Sequence, residues 1–282
     1  MRSLENLSSI QEYLQSAALD RFSTYIFEGW QSPLIMPGWK STLVSAGSDV
    51  NWTDKLSKLI SHKQWSPELS EIIKKLSSGK RLSVDDGVTL FNHPKLHEVG
   101  QLANFSKFAR YGDKVFFNSN VHINQTNICV LACKFCAFRR SKKQSDAYEL
   151  SIEDYVSEIG KYSRLIDEVH SVGGLHPDWD VAHYETLISS AKDRFPEISI
   201  KALTAVEIKH LSQQSNISYL ETLRRLKAAG LDSLPGGGAE ILNDQIREVI
   251  CNGKESSEEY LDIHRKAHSI GIPSNCTMLF GT

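Results

Sequence analysis

Long apolar runs are missing from this 282-residue chain. The longest, such as Cys276 to Phe280, fall far short of the roughly 20 residues that a membrane-spanning helix needs. The N-terminus, Met-Arg-Ser-Leu-Glu-Asn-Leu-Ser-Ser, has no apolar core of the kind that marks a secretory signal. An excess of either charge is missing too: 32 Lys and Arg against 34 Asp and Glu leave a formal net charge of −2. No global basic field therefore argues for nucleic acid. Cysteine is scarce, with 5 in the whole chain, which excludes a disulfide framework in a protein of this size. What remains, 40% hydrophobic and 23% charged, is the composition of a soluble globular protein. Its length suits one large domain or two small ones. The expectation is a cytoplasmic protein with neither membrane nor nucleic acid as partner.

The few cysteines are not scattered. Cys129, Cys133 and Cys136 fall within eight residues, spaced C-x3-C-x2-C, with the aromatic Phe135 directly before the last. Three thiolates on one short loop can hold three corners of a [4Fe-4S] cluster, leaving the fourth iron open to a substrate or second cofactor. A structural zinc site asks for a fourth ligand. Here that would be His122, Cys251 or Cys276, none at a familiar spacing. Burial as three small hydrophobes conflicts with the surrounding Asn127, Lys134, Arg139 and Arg140. Cys251 and Cys276 read as structural.

Residues 1–65 read as an N-terminal extension of unknown role, loosely packed or partly disordered. Leu14 to Phe27 suggests a helix there, and Trp30, Trp39, Trp52 and Trp65 follow no period. Residues 66–118 read as a helical cap. Ser66 with Pro67, and Ser83 with Asp85 and Asp86, mark helix starts, and a third helix runs from about Pro94 to Arg110. From residue 119 the pattern alternates. Strands are expected at Val121 to Ile123, Glu168 to Val172, Ile198 to Ala205, Leu231 to Leu234 and Cys276 to Phe280, with amphipathic helices between them. This predicts an α/β fold, a partial (β/α) TIM-type barrel of about five units over 119–282, with parallel strands and right-handed crossovers. The cysteines, Gly173-Gly174, Thr204-Ala205-Val206-Glu207 and Gly236 to Gly238 all follow strands directly, on the face where such barrels build active sites.

Each of these segments has two readings. Gly173-Gly174 either lets backbone approach a ligand closely or only makes a tight turn. His176 is a proton carrier near its natural pKa or a loop residue held by Pro177. The run Pro235-Gly236-Gly237-Gly238-Ala239-Glu240 is not a dinucleotide fingerprint. Its glycines imply unusual dihedrals or ligand contact, and Glu240 is either a ligand-binding acid or a first-turn acid on its helix. Arg140 belongs to a basic run, Arg139, Arg140, Lys142 and Lys143, whose default is a solvated loop.

C-x3-C-x2-C with an aromatic before the third cysteine resembles the signature of the radical S-adenosylmethionine (SAM) superfamily. Within it, His122-Ile-Asn-Gln-Thr-Asn-Ile-Cys, Cys133-Lys-Phe-Cys-Ala-Phe-Arg-Arg, Val172-Gly-Gly-Leu-His-Pro-Asp, Ile200-Lys-Ala-Leu-Thr-Ala-Val-Glu and Asp232-Ser-Leu-Pro-Gly-Gly-Gly-Ala-Glu resemble the aminofutalosine synthases of menaquinone biosynthesis. Further segments, Asp146-Ala-Tyr-Glu-Leu and Thr277-Met-Leu-Phe-Gly, carry the likeness from about residue 67 to the end. The resemblance implies that Cys129, Cys133 and Cys136 bind a [4Fe-4S] cluster whose open iron chelates SAM. An electron then cleaves SAM to a 5′-deoxyadenosyl radical, which adds to 3-[(1-carboxyvinyl)oxy]benzoate with decarboxylation. It further implies that Phe135, Gly173, Gly174, Glu207, Gly237 and Glu240 contact the cofactor, with Glu207 and Glu240 as acceptors for hydroxyls. His176 and Arg140 are the catalytic candidates, Arg140 as a cation for a substrate carboxylate. A flavodoxin or ferredoxin would donate the electron.

Relatives continue beyond the point corresponding to Phe280-Gly281-Thr282, so a truncated chain is expected. The alternatives left open are a cyclic dehypoxanthinylfutalosine or deazaflavin (FO) synthase relative, an inactive fragment, or a non-catalytic metal-binding protein.

Overall fold

The computed structural model describes residues 51–114 and 118–279, in two compact units that divide between Lys114 and Asn118. The expectations for Leu14 to Phe27, Trp30, Trp39 and Phe280 to Thr282 lie outside the described residues.

The first unit holds four helices among the described residues, α1 (Trp52–Ser61), α2 (Ser70–Ser77), α3 (Val84–Phe91) and α4 (Leu96–Tyr111), of which the first three are amphipathic. Ser66 and Pro67 start a single 3-10 turn, Pro67–Leu69, that leads into α2. Ser83 and Asp86 cap α3 reciprocally, each side chain accepting from the other's backbone N–H. Leu56, Ile60, Leu69, Ile72 and Leu102 make one core, with Trp52 and Trp65 packed at its margin. Helix α1 lies in the span expected to be a separate extension, yet it shares this core with the cap helices.

The second unit is built on a parallel sheet, β1 (Asn120–His122), β2 (Glu168–Ser171) and β3 (Ser199–Ala202), in sequential order. Helices α5 (Ile152–Tyr162) and α6 (Val181–Arg194) cross between these strands. Val121, Val169 and Ile200 align in register and turn into a core formed with Tyr155, Ile159 and Ile188. Beyond β3 come α7 (Ala205–Ser215) and α8 (Tyr219–Ala229), then α9 (Asp244–Cys251) and α10 (Ser257–Ser269).

Three details depart from the sequence reading. First, Thr204 to Glu207 opens a full helix, α7, not a loop before a single helix. Second, Leu231 to Leu234 pairs with β3 through one parallel bridge, Lys201 to Ser233. The Asp232 carboxylate accepts from Ile200 N at 2.8 Å, and Pro235, which has no N–H, ends the ladder. Third, the fifth segment pairs earlier than expected, Leu234 with Ser274, while Met278 bridges to Glu240. The parallel order nevertheless continues through both segments, so the wall of a (β/α) barrel is laid down in chain order.

Candidate functional site

The chain leaves β1 into a loop that is folded chiefly by its own polar groups. Thr126 Oγ1 donates to Tyr148 O at 2.7 Å, Asn127 Nδ2 to Asp146 O at 2.9 Å, and Tyr148 N returns to Asn127 Oδ1 at 2.8 Å. Gln125, Thr126 and Asn127 are buried, so these bonds replace water that the backbone cannot reach. Arg140 closes the loop. Its Nε donates to Asp146 Oδ2 at 2.6 Å, and its Nη1 to the carbonyls of Ala137 and Arg139 at 2.8 and 2.9 Å. Cys129 N donates to Arg140 O at 3.0 Å, and Cys136 N to Cys133 O at 3.1 Å, which turns the three thiols onto one tight bend.

All three are free thiols, with Cys129 and Cys133 half-buried and Cys136 exposed. Burial pushes the Cys133 thiol up to about 11, the neighbouring cysteines add to the rise, and Lys254 opposes it. Among the described residues no three His, Cys, Asp or Glu side chains converge tightly enough for a single metal ion. A cubane, with a separate iron under each thiolate, asks for a wider spread than one ion does. Donor type, number and one-loop placement therefore fit an iron–sulfur cluster.

Gly173 and Gly174 press against this loop. A Cβ on Gly174 would stand 2.1 Å from Ile128 O and 2.9 Å from Cys129 Cβ; one on Gly173 would meet Gln125 Nε2 at 2.5 Å. Gly174 N donates to Thr126 O at 2.9 Å. The glycines are thus required by the cysteine loop itself. Beneath them lies Glu207, buried, with four donors on its two oxygens: Gly173 N at 3.1 Å, Gln125 Nε2 at 3.3 Å, and Thr204 N and Oγ1 at 2.7 and 2.8 Å. Burial raises the Glu207 pKa, and the donors from Thr204, Gly173 and Gln125 partly offset the rise. One carboxylate therefore caps α7 and anchors the glycine turn.

His176 is buried between Trp179, stacked at 4.4 Å, and Glu149, whose Oε2 is 2.7 Å from Nε2. Asp178 N donates to Nδ1 at 3.2 Å, so the neutral ring carries its proton on Nε2, toward Glu149. Its partner Glu149 is exposed, so the pair links the buried ring to the surface.

The glycine run after the fourth segment wraps a further cation. Gly238 sits at φ +101, where a Cβ would meet Glu255 Oε1 at 2.8 Å, and Glu240 is left-handed at φ +47. A Cβ on Gly237 would meet Thr204 Cγ2 at 3.0 Å, which brings the run beside the start of α7. Lys254 Nζ binds Glu240 Oε1 at 2.7 Å and lies 5.4 Å from the Phe135 ring centre. Burial pulls the Lys254 ammonium down, but Glu240, with Cys133 and Glu255, carries it above its ordinary value. Below, Arg247 Nη1 binds the Gly238 and Ala239 carbonyls, and its Nη2 stands 3.3 Å from buried Glu255. Lys134 N donates to Ile250 O at 2.8 Å, tying the cysteine loop to the end of α9.

The structure thus joins the cysteines to Gly173-Gly174 directly, and to Glu207 through Gly173. It joins Phe135 and Cys133 to Glu240 through Lys254, a residue the sequence reading missed. Only its place after Gly253, two residues past a helix end, distinguishes it in sequence. The Glu207 anchor did have a signal, since Thr204-x-x-Glu207 is a capping box.

Comparison with known proteins places these features. The model describing the radical SAM superfamily matches residues 123–282. An aminodeoxyfutalosine synthase of Thermus thermophilus is 40% identical over 216 residues, covering 76% of this chain and 58% of the relative. One from Streptomyces coelicolor is 39% identical, covering 75% and 55%, and a cyclic dehypoxanthine futalosine synthase of that organism is 34% identical, covering 76% and 55%. The chain therefore spans little more than half the length of these relatives. Among solved structures, HydG, a maturase of the [FeFe]-hydrogenase, superposes with a TM-score of 0.60 at 19% identity, covering 83% of this chain and 51% of its own. Methylornithine synthase gives 0.54 at 16% identity, covering 79% and 57%.

Proposed function

The chain belongs to the radical SAM superfamily, and from that premise we propose that it carries out the aminodeoxyfutalosine synthase reaction. The substrates are SAM and 3-[(1-carboxyvinyl)oxy]benzoate; the adenosyl group is retained in the product and one carboxyl group is lost. What supports this reading over its neighbours is the identity to two aminodeoxyfutalosine synthases, which exceeds that to the cyclic synthase. Members of the superfamily use a [4Fe-4S] cluster and SAM. Bound here, the cluster would supply the electron that cleaves SAM, delivered by a flavodoxin or ferredoxin in the cytoplasm.

The chain's own residues divide the remaining work. Cys129, Cys133 and Cys136 ligate the cluster as thiolates, and Lys254 favours the ionised form of Cys133. Gly173, Gly174, Gly237 and Glu240 form the SAM cradle, with Phe135 at its edge. Glu207 acts through Gly173, because its oxygens are already taken by protein donors. Arg140 holds the loop closed through Nε and Nη1, which leaves Nη2 as the edge to offer a substrate carboxylate. His176 exchanges protons with Glu149. These are roles of position and charge, and they suit a reaction whose bond-breaking step is driven from the cluster.

The test is direct. Anaerobically reconstituted chain is incubated with a low-potential reductant, SAM and the carboxyvinyloxybenzoate, and products are read by mass spectrometry. Aminodeoxyfutalosine is expected. Turnover of dehypoxanthine futalosine alone would move the assignment to the cyclic synthase.

A further inference from the structure

The sheet has two unlike faces. Val121, Val169 and Ile200 point into the helix-covered core, as a parallel sheet requires. The opposite face is polar on every strand. Register places Asn120, Glu168 and Ser199 on one rung and His122, His170 and Lys201 on the next, one step nearer the C-terminal ends. Asn120 and His122 are exposed and Glu168, His170, Ser199 and Lys201 half-buried, so this polar face is open to a ligand from solution.

The second rung is ordered. The His122 and His170 rings stack with centres 4.4 Å apart and planes 8° from parallel. Lys201 follows on the third strand, bridged onward to Ser233. Among the described residues none of these three side chains has a hydrogen-bond or ion-pair partner. Burial first, then His122 and Lys201, hold the His170 pKa down to about 4, so its ring is neutral near pH 7 with an N–H to donate. The acid on this face, Glu168, sits one rung deeper, where Asn118 Nδ2 donates to it at 3.0 Å; burial raises its pKa, and the charges of Lys201 and His122 oppose the rise without an ion-pair contact. Each member of the rung also leads into the site. His122 is followed by the cysteine loop, His170 precedes Gly173 by three residues, and Lys201 precedes Thr204 by three.

An ammonium makes short charge-assisted bonds to a carboxylate, a neutral imidazole adds a donor, and stacked rings offer a flat wall to an aromatic. We propose that His122, His170 and Lys201 form an anion-binding rung that receives the aryl carboxylate of the substrate. The name of that carboxylate, a benzoate, rests on the function proposed above; the rung itself does not.

The experiment uses the reconstituted full chain and isophthalate as probe, with benzyl alcohol as its uncharged aromatic control, and binding is read by ligand-detected NMR. Isophthalate is expected to bind at least tenfold more tightly than benzyl alcohol. Lys201→Met is expected to weaken isophthalate at least tenfold without lowering the melting temperature, and Lys201→Arg to restore most of the loss. If Lys201→Met does not fold, His170→Gln carries the same comparison. The proposal is overturned if the parent chain binds isophthalate no better than benzyl alcohol, or if the substitutions leave isophthalate affinity unchanged. Failure of the function reading looks different: no aminodeoxyfutalosine is formed, yet isophthalate binding still depends on Lys201.

Discussion

Replacing Glu207 by alanine tests whether one buried carboxylate really joins the third strand's helix to the glycine turn under the cysteines. The substitution removes the reciprocal cap of α7, for which about 1 kcal/mol is typical. It also strips acceptors from the buried N–H groups of Gly173 and Thr204, at about 1–3 kcal/mol each. Against this stands relief from burying an acid whose pKa burial has raised. The net expectation is a loss of about 3 kcal/mol. Glu207→Gln keeps one acceptor oxygen but sets an N–H against a donor, so about half that loss is expected. Urea unfolding of the reconstituted chain at neutral pH reads both values. If Glu207→Ala unfolds within about 0.5 kcal/mol of the parent, the network does not hold this turn. Were Glu207 instead to bind a cofactor hydroxyl directly, SAM affinity would drop while stability stayed.

Gly174→Ala forces a Cβ to within 2.1 Å of the Ile128 carbonyl oxygen, a backbone atom that cannot rotate away. Overpacking of about 3 kcal/mol and a marked fall in iron bound per chain are expected; normal iron content would contradict the packing argument. Lys254→Met leaves Glu240 and Cys133 without their cation, and is expected to cost about 2 kcal/mol and to slow cluster assembly, followed by visible absorbance during reconstitution. Glu255 gives a pH signature. Its pKa is raised by burial from 4.5 to about 7, so its contribution to stability is fully present below 4.5 and is lost as pH rises through 7. At about 1.4 kcal/mol per unit, denaturant unfolding should show about 3 kcal/mol lost on this account between pH 5 and 8, and Glu255→Gln should flatten that slope. An unchanged slope in the variant would assign it elsewhere.

The cysteine loop and the strand–helix alternation were legible because both are local: spacing carries the first and periodicity the second. Helix α7 was hidden by the same residues that suggested a ligand loop, since a capping box looks like a polar motif until the apolar positions behind it are counted. The fourth and fifth strands came out short for reasons a period cannot report. An Asp232 side chain takes a backbone donor, and Pro235 interrupts the ladder. The glycines at 173 and 174 left a ligand approach and a tight turn both open, and neither reading could show that Gln125, Ile128 and Cys129, far away in sequence, press against them. Lys254 and the His122–His170–Lys201 rung are likewise products of long-range register, which one sequence does not display.

The central claim is that Cys129, Cys133 and Cys136 hold a cluster to which SAM binds. Anaerobic reconstitution followed by electron paramagnetic resonance of the reduced chain tests it most directly. A [4Fe-4S] signal that shifts on adding SAM, and that is lost in Cys133→Ser, is the predicted result. Retained zinc with no such signal, or a signal indifferent to both SAM and Cys133, would contradict the account.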